Sequence, residues 1–234
     1  MSFLTYYLLG DIMSIKKKFS LLFILLLLVL GLFNVDAKKT NNSLELFGKV
    51  ITVDPGHGGR DSGTRYGNLL EKDLNLEISK ELEKELTRRG AIVYMTRDED
   101  EDLSSKYDKL KKRGDLYRRI LFIQKNRSDL YLSIHLNWYN NSYYGGVEVL
   151  YNNINKNNKL LSEKISNEFK INGIKTRKNI PTDLYLYKNT RVPGVLIECG
   201  FLSNSNDRYL LKQQAYQKRI SKIITNGVIK YLND

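Results

Sequence analysis

Cysteine and histidine are scarce in this sequence, which has one Cys and two His in 234 residues. The single thiol, Cys199, excludes an internal disulfide framework and a thiolate metal cluster. The sequence also lacks internal repeats and any helix-turn-helix, zinc-finger or RNA-binding signature. If the protein is exported, its stability must therefore come from packing.

The charge balance favours an anionic partner without identifying it. The sequence has 38 Lys and Arg against 26 Asp and Glu, a formal charge of +12. Such an excess is compatible with nucleic acid, a membrane surface or an acidic polymer. Because the basic residues are interspersed with acidic ones and no nucleic-acid motif is present, we predict no nucleic-acid partner.

The first 37 residues are typical of an export signal. Three lysines at 16–18 precede an apolar run at 19–33, whose only polar side chain is Ser20. At about 1.5 Å per residue the run spans roughly 22 Å, less than the ~30 Å hydrocarbon core of a bilayer. Val35 and Ala37 are the small residues that signal peptidase requires, so we expect cleavage after Ala37. The alternative is an uncleaved membrane anchor, and in both cases residues 38 onward would face the exterior.

Beyond this segment, short apolar runs alternate with longer amphipathic stretches. We predict strands at 49–54, 91–96, 129–135, 146–151 and 194–198, and helices near 72–89, 114–126, 158–169 and 216–231. This alternation indicates right-handed crossovers and a mostly parallel sheet covered by helices on both faces. We therefore expect a linker over 38–47 and a single α/β domain over 48–234, with its functional groups at the carboxyl ends of the strands.

Side chains that can bind a metal ion or transfer a proton stand at the ends of three of these strands. His57 follows ITVD in the glycine-rich stretch VDPGHGGRDSG, His135 ends LYLSI, and Glu198 ends VLI. The glycines let the backbone turn sharply, so we expect the imidazole of His57 at the edge of the sheet. A fourth residue, Glu71, stands at the first turn of a predicted helix in NLLEKDLNLEIS.

Two imidazoles and one carboxylate are a usual ligand set for catalytic zinc. We assign His57, Glu71 and His135 to the metal and Glu198 to general base and acid. The strand before Glu198 is apolar, so burial should raise the pKa of its carboxyl toward the range useful for proton transfer. Each residue alone has a simpler explanation: a hydrogen-bonded core histidine, a phosphate-binding glycine turn, a helix N-terminal acid or a partner of an arginine. Their joint occurrence favours the metal site.

Four segments together carry a family resemblance. ITVDPGHGGRDSGT, NLLEKDLNLEIS, DLYLSIHLN and VPGVLIECGFLSNSND resemble, in order and spacing, the signature segments of the zinc-dependent N-acetylmuramoyl-L-alanine amidases of the type-3 family. The resemblance covers about residues 48–234. It implies a six-stranded sheet, zinc on His57, Glu71 and His135, and catalysis by Glu198. It also implies that the substrate is the amide between N-acetylmuramic acid and the first alanine of the peptidoglycan stem peptide.

The short catalytic domain, without wall-binding repeats or an inserted inhibitory helix, most resembles the spore-cortex branch of that family. This branch implies removal of stem peptides so that a deacetylase can complete muramic-δ-lactam. Two other functions remain open: another zinc amide hydrolase, such as a peptidase or a sugar N-deacetylase, and a non-catalytic peptidoglycan-binding or scaffolding protein. Three ligands at the exposed edge of a sheet can need a partner to order them. Whether this site requires an accessory protein therefore remains open.

Substrate contacts are predicted from position along the chain. Asn137 lies two residues after His135 and would orient the substrate. The loop that follows has aromatic side chains that would stack on sugar rings or pack as an ordinary loop: Trp138, Tyr139, Tyr143 and Tyr144.

Overall fold

The computed structural model describes residues 44–234. The predicted leader and most of the predicted linker lie outside this part of the chain. Residues 44–47, the end of that linker, pack against the domain, because Leu46 is fully buried and its N–H donates to the Arg89 carbonyl at 3.0 Å. Within residues 44–234, no helix has the length and apolarity needed to cross a membrane.

Short strands alternate with helices along the described chain. In order, the elements are β1 (Val50–Pro55), β2 (Arg65–Tyr66), β3 (Leu69–Leu70), α1 (Glu71–Arg88), β4 (Ile92–Met95), α2 (Lys111–Lys125), β5 (Leu130–Asn137), β6 (Glu148–Tyr151), α3 (Lys156–Ile171), β7 (Ile180–Pro181), α4 (Tyr185–Lys188), β8 (Gly194–Phe201), α5 (Ser205–Leu211) and α6 (Gln214–Leu232). All predicted strands and helices are present, with ends that differ by at most three residues. Five elements were not predicted, because they are too short to show a hydrophobic period: β2, β3, β7, α4 and α5.

Six strands form the main sheet, in the order β4-β1-β5-β8-β6-β7. The first four are parallel to one another, β6 is antiparallel to β8, and β7 is parallel to β6. The predicted mostly parallel, six-stranded α/β fold is therefore confirmed. The carboxyl ends of β1, β5 and β8 lie side by side at one edge of the sheet.

Side chains that alternate along the central strands divide the interior into two layers. Ile51, Val53, Leu132 and Ile197 belong to the large core under α1, α3 and α6. The opposite face of β5 and β8 contributes Tyr131 and Leu196 to a smaller cluster with α2 and α4. Polar side chains of β1 and β5 share this second face, where they are buried and hydrogen bonded to one another: Asp54 accepts from Ser133 at 2.7 Å.

Candidate active site

His57 lies in the tight turn that follows β1. Its φ of 61° falls in the left-handed region, which costs a non-glycine residue on the order of 1–3 kcal/mol. Reciprocal backbone hydrogen bonds between Gly58 and Asp61, both 3.0 Å, close the turn. The Nδ1 atom of His57 lies 3.0 Å from the Asp61 carboxylate, so the other ring nitrogen, Nε2, is the one left to bind a metal. Asp61 was not predicted, although it stands in the same glycine-rich stretch.

Glu71 is the first residue of α1 and is 2% exposed. One carboxylate oxygen, Oε2, accepts hydrogen bonds from the backbone N–H and the hydroxyl of Thr64, at 2.8 and 3.1 Å. The other oxygen, Oε1, accepts from the N–H of Leu136 at 3.1 Å. These bonds and the positive end of the helix favour an ionised carboxylate at this position. The prediction that α1 begins near Lys72 is corrected by one residue, which places Glu71 inside the helix.

His135 lies within β5 and not at its end. The strand continues to Asn137, with a shift of register against β8 between the two residues. Its ring fills space beside Gly56, where any Cβ atom would overlap the imidazole. A glycine at 56 is therefore required by the close approach of the ring, a reason that the sequence alone does not reveal.

Three ligand atoms converge at this edge of the sheet. His57 Nε2 and His135 Nδ1 each lie 3.1 Å from Glu71 Oε1, and each of the three residues offers a ligand atom within 4.8 Å of the other two. Ligands about 2.0 Å from a tetrahedral zinc ion are roughly 3.3 Å apart. The spacing and the chemistry of this donor set fit one zinc-sized cation.

The charges of these residues stabilise one another in the metal-free protein. Burial disfavours a charged His57, but the carboxylates of Glu71 and Asp61 outweigh burial and raise the pKa of the imidazole above 6.5. Burial likewise opposes charge on Glu71, and the imidazoles of His135 and His57 outweigh it, so the pKa of that carboxyl is lowered. A metal ion and a proton compete for the imidazole of His57, so metal affinity should fall as the pH falls.

Glu198 stands directly beside His135, its register partner on β8. Its Oε2 atom is buried and has no hydrogen-bond partner in the described part of the chain. Burial raises the pKa of its carboxyl well above 4.5, and the negative charges of Glu71 and Glu148 raise it further. A buried acid with an unused oxygen next to a candidate metal centre is suited to proton transfer.

Glu148 is a second acid that the sequence analysis missed. It pairs in register with Glu198 from β6, so His135, Glu198 and Glu148 form a row across three strands. The side-chain NH2 group of Asn137 donates to Oε2 of Glu148 at 3.1 Å. The side-chain oxygen of Asn137 accepts from the N–H of Trp138 at 2.8 Å. An acid within the apolar run GVEVLY was the signal that could have identified it.

Comparison with known proteins identifies the family. The sequence pattern of the N-acetylmuramoyl-L-alanine amidase family matches residues 51–230. This range includes the three candidate metal ligands and Glu198. The chain belongs to this family. The family prediction and the amidase activity are thereby confirmed.

Individual amidases resemble the chain over most of its length. The germination-specific N-acetylmuramoyl-L-alanine amidase of Bacillus subtilis is 35% identical over 94% of this chain and 97% of that protein. The B. subtilis amidase LytC is 31% identical over 87% of this chain, but only 40% of that longer protein is covered. The structure of the CwlD amidase of Clostridioides difficile in complex with the GerS lipoprotein matches with a TM-score of 0.75 and 35% identity, over 79% of this chain and 98% of that chain. The chain is thus a peptidoglycan amidase similar to germination and cortex enzymes.

Proposed function

We propose that the protein is a zinc-dependent hydrolase that cleaves the amide between N-acetylmuramic acid and L-alanine in spore-cortex peptidoglycan. The observation that carries the proposal is the convergence of ligand atoms of His57, Glu71 and His135 within 4.8 Å, with Glu198 as the register neighbour of His135. Its relation to a germination-specific amidase supports the choice of cortex as substrate.

The ligands are held before any metal arrives. Asp61 orients the imidazole of His57, and the hydrogen bonds from Thr64 and Leu136 fix both oxygens of Glu71. When bound, zinc supplies a Lewis acid that activates water and polarises the scissile carbonyl. Such prior fixing of the ligands raises both metal affinity and the precision of the site.

Glu198 acts as the proton carrier. Its carboxylate accepts a proton from the attacking water and then gives that proton to the departing amine of alanine. Burial and the neighbouring charges of Glu71 and Glu148 make the carboxyl a better proton acceptor than an exposed glutamate. The same environment keeps the proton available for the leaving amine, which must depart protonated.

The loop after β5 is the proposed substrate-facing surface. Asn137 remains our candidate for orienting the substrate, with its amide held between Glu148 and the N–H of Trp138. Trp138 and Tyr143 are 40% and 89% exposed, whereas Tyr144 packs against Phe201 with a ring-centroid distance of 5.2 Å. Exposed aromatic faces next to the site are suited to stacking on sugar rings, and the partly buried Tyr144 supports the loop.

The predicted leader over residues 1–37 and the family resemblance support a proposal for the cellular context. We propose that the protein is exported with a cleaved leader or a membrane anchor, and that it acts outside the cytoplasm. Its product, muramic acid freed of peptide, would be the substrate of a deacetylase that completes muramic-δ-lactam. An accessory protein is a further proposed partner, supported by the fact that the related CwlD amidase was solved in complex with a lipoprotein.

Product analysis tests the proposed reaction. The purified protein is incubated with cortex peptidoglycan, with and without zinc, and the products are identified by mass spectrometry. The proposal predicts zinc-dependent release of stem peptides with a free N-terminal alanine, and muramic acid with a free lactyl carboxyl group. Cleavage inside the peptide would instead indicate a peptidase, and loss of acetyl groups a sugar deacetylase. Either result would refute the proposed bond.

A further inference from the structure

Two buried arginines surround the turn that carries His57. Arg97 follows β4, Arg119 lies in α2, and both side chains are 2% exposed. Their guanidinium groups donate to the carbonyl oxygens of three consecutive residues, 55–57. Burying a guanidinium group is costly unless its N–H groups are hydrogen bonded, and here many of those bonds go to main-chain oxygens. The two arginines therefore stabilise a particular backbone conformation of the turn.

Arg97 joins the His57 turn to the helix that begins with Glu71. Its Nη2 atom donates both to the Gly56 carbonyl and to the Lys72 carbonyl, each at 2.9 Å. Its Nε donates to the Pro55 carbonyl at 3.0 Å. One planar group thus fixes the spacing between the turn that supplies one candidate ligand and the helix turn that supplies another.

Arg119 joins the same turn to α2. Its Nη2 atom donates to the His57 carbonyl at 2.6 Å, and Nη1 donates to the Pro55 carbonyl at 2.8 Å. The charge is balanced by Asp54 at 2.7 Å and Asp115 at 2.8 Å. The guanidinium therefore clamps the main chain on both sides of Gly56, and its own position is set by two carboxylates.

We propose that Arg97 and Arg119 are positioning residues of the metal centre, which hold His57 in its left-handed conformation with Nε2 directed at Glu71. The inference rests on the proposed metal site. Without the clamps, the turn would relax toward the backbone conformations that a histidine prefers. Metal binding would then have to order the turn again, and affinity would fall.

Zinc affinity of charge-conserving variants tests this role. Arg119→Lys and Arg97→Lys keep the positive charge but lose the planar fork that reaches several carbonyls. Arg89→Lys is the matched control, because Arg89 makes a similar fork to Glu45 at 2.8 and 2.6 Å, at the far end of α1. Zinc dissociation constants are measured by competition with a chromophoric chelator, at a temperature where circular dichroism shows every variant to be folded.

We expect zinc affinity to fall about 10- to 100-fold in the two site variants and to stay within twofold in the control, since supporting partners of metal ligands have effects of this size. Hydrolysis by Arg97→Lys should return to the wild-type rate once zinc is saturating, which a general packing defect would not allow. If Arg119→Lys does not fold, Arg97→Lys alone decides the matter. Unchanged zinc affinity in the folded site variants would overturn the inference and leave the proposed function intact.

The wild-type protein separates the two proposals. Wild-type zinc binding that is lost in the site variants, without amide hydrolysis by any protein, would support the positioning role and refute the proposed function. Failure of the wild-type protein to bind zinc, both alone and together with the accessory protein, would refute both.

Discussion

Replacing Glu198 by glutamine should lower the rate of hydrolysis by orders of magnitude and at the same time stabilise the metal-free protein at neutral pH. Glutamine keeps the size and shape of the side chain but cannot accept or give up a proton. The substitution removes a carboxyl that is buried, has an unpartnered Oε2 atom and lies near the charges of Glu71 and Glu148. Zinc should still bind, because the three proposed ligands are unchanged.

The magnitudes follow from the environment of this carboxyl. General acid–base groups typically contribute about 100- to 10,000-fold to rate, and this is the expected loss of activity. In the folded protein the pKa of the Glu198 carboxyl is raised above 4.5. Protonated Glu198 therefore stabilises the folded wild-type protein at low pH, and this stabilisation is lost as the pH rises through the pKa of the folded state. Each pKa unit is worth about 1.4 kcal/mol, which sets the scale of the difference from the glutamine variant.

Two measurements check these expectations. Free N-terminal alanine released from peptidoglycan gives activity, and urea denaturation in the presence of a chelator gives stability at pH 4 and pH 8. Glu163→Gln, an exposed acid on α3, is the matched control and should change neither quantity. A Glu198→Gln variant with activity within a few-fold of wild type, or a stability difference that does not grow with pH, would refute the reasoning.

Three further variants probe the supports of the site. Gly56→Ala should displace the His135 ring and weaken zinc binding at least 10-fold in a chelator competition, and a wild-type affinity would show that the ring can move freely. Asp61→Asn should weaken zinc binding about 10- to 100-fold by loosening the imidazole of His57, as measured by calorimetry, and an unchanged affinity would contradict this. The pKa of Asp54 is lowered from 3.8 to about 2, so the carboxylate contributes stability above pH 4 that is lost as the pH falls through 2. The stability gap between wild type and Asp54→Asn should therefore shrink by about 2 kcal/mol from pH 5 to pH 2 in urea denaturation, and a constant gap would contradict the assignment.

The convergence of His57, His135 and Glu198 could be predicted because it depends on the order of strands and helices. Parallel strands joined by right-handed crossovers bring their carboxyl ends to one edge, and each of these residues is at or near such an end. The position of Glu71 followed from its place at a helix start. These are local patterns, and a single sequence contains them.

The supports of the site could not be predicted in the same way. Glu148 reaches Glu198 through the register of β6 and β8, and Arg119 reaches the His57 carbonyl across 62 residues of sequence. Contacts of this kind depend on side-chain reach between elements that are distant in the chain. Sequence patterns give no measure of that reach, so the position of Arg119 inside a helix gives no sign of its contact with the His57 turn. The extension of β5 beyond His135 was missed because pairing continues past a shift of register.

Zinc titration of the chelator-treated protein tests whether hydrolysis depends on one bound metal ion. Amidase activity is measured as the release of stem peptide with N-terminal alanine, while bound zinc per chain is determined in the same samples. One triad of ligands predicts no activity without metal, a rise in activity in proportion to bound zinc, and saturation at about one ion per chain. Full activity in the metal-free protein, or zinc bound at that stoichiometry by a His57→Ala, His135→Ala double variant, would contradict this prediction.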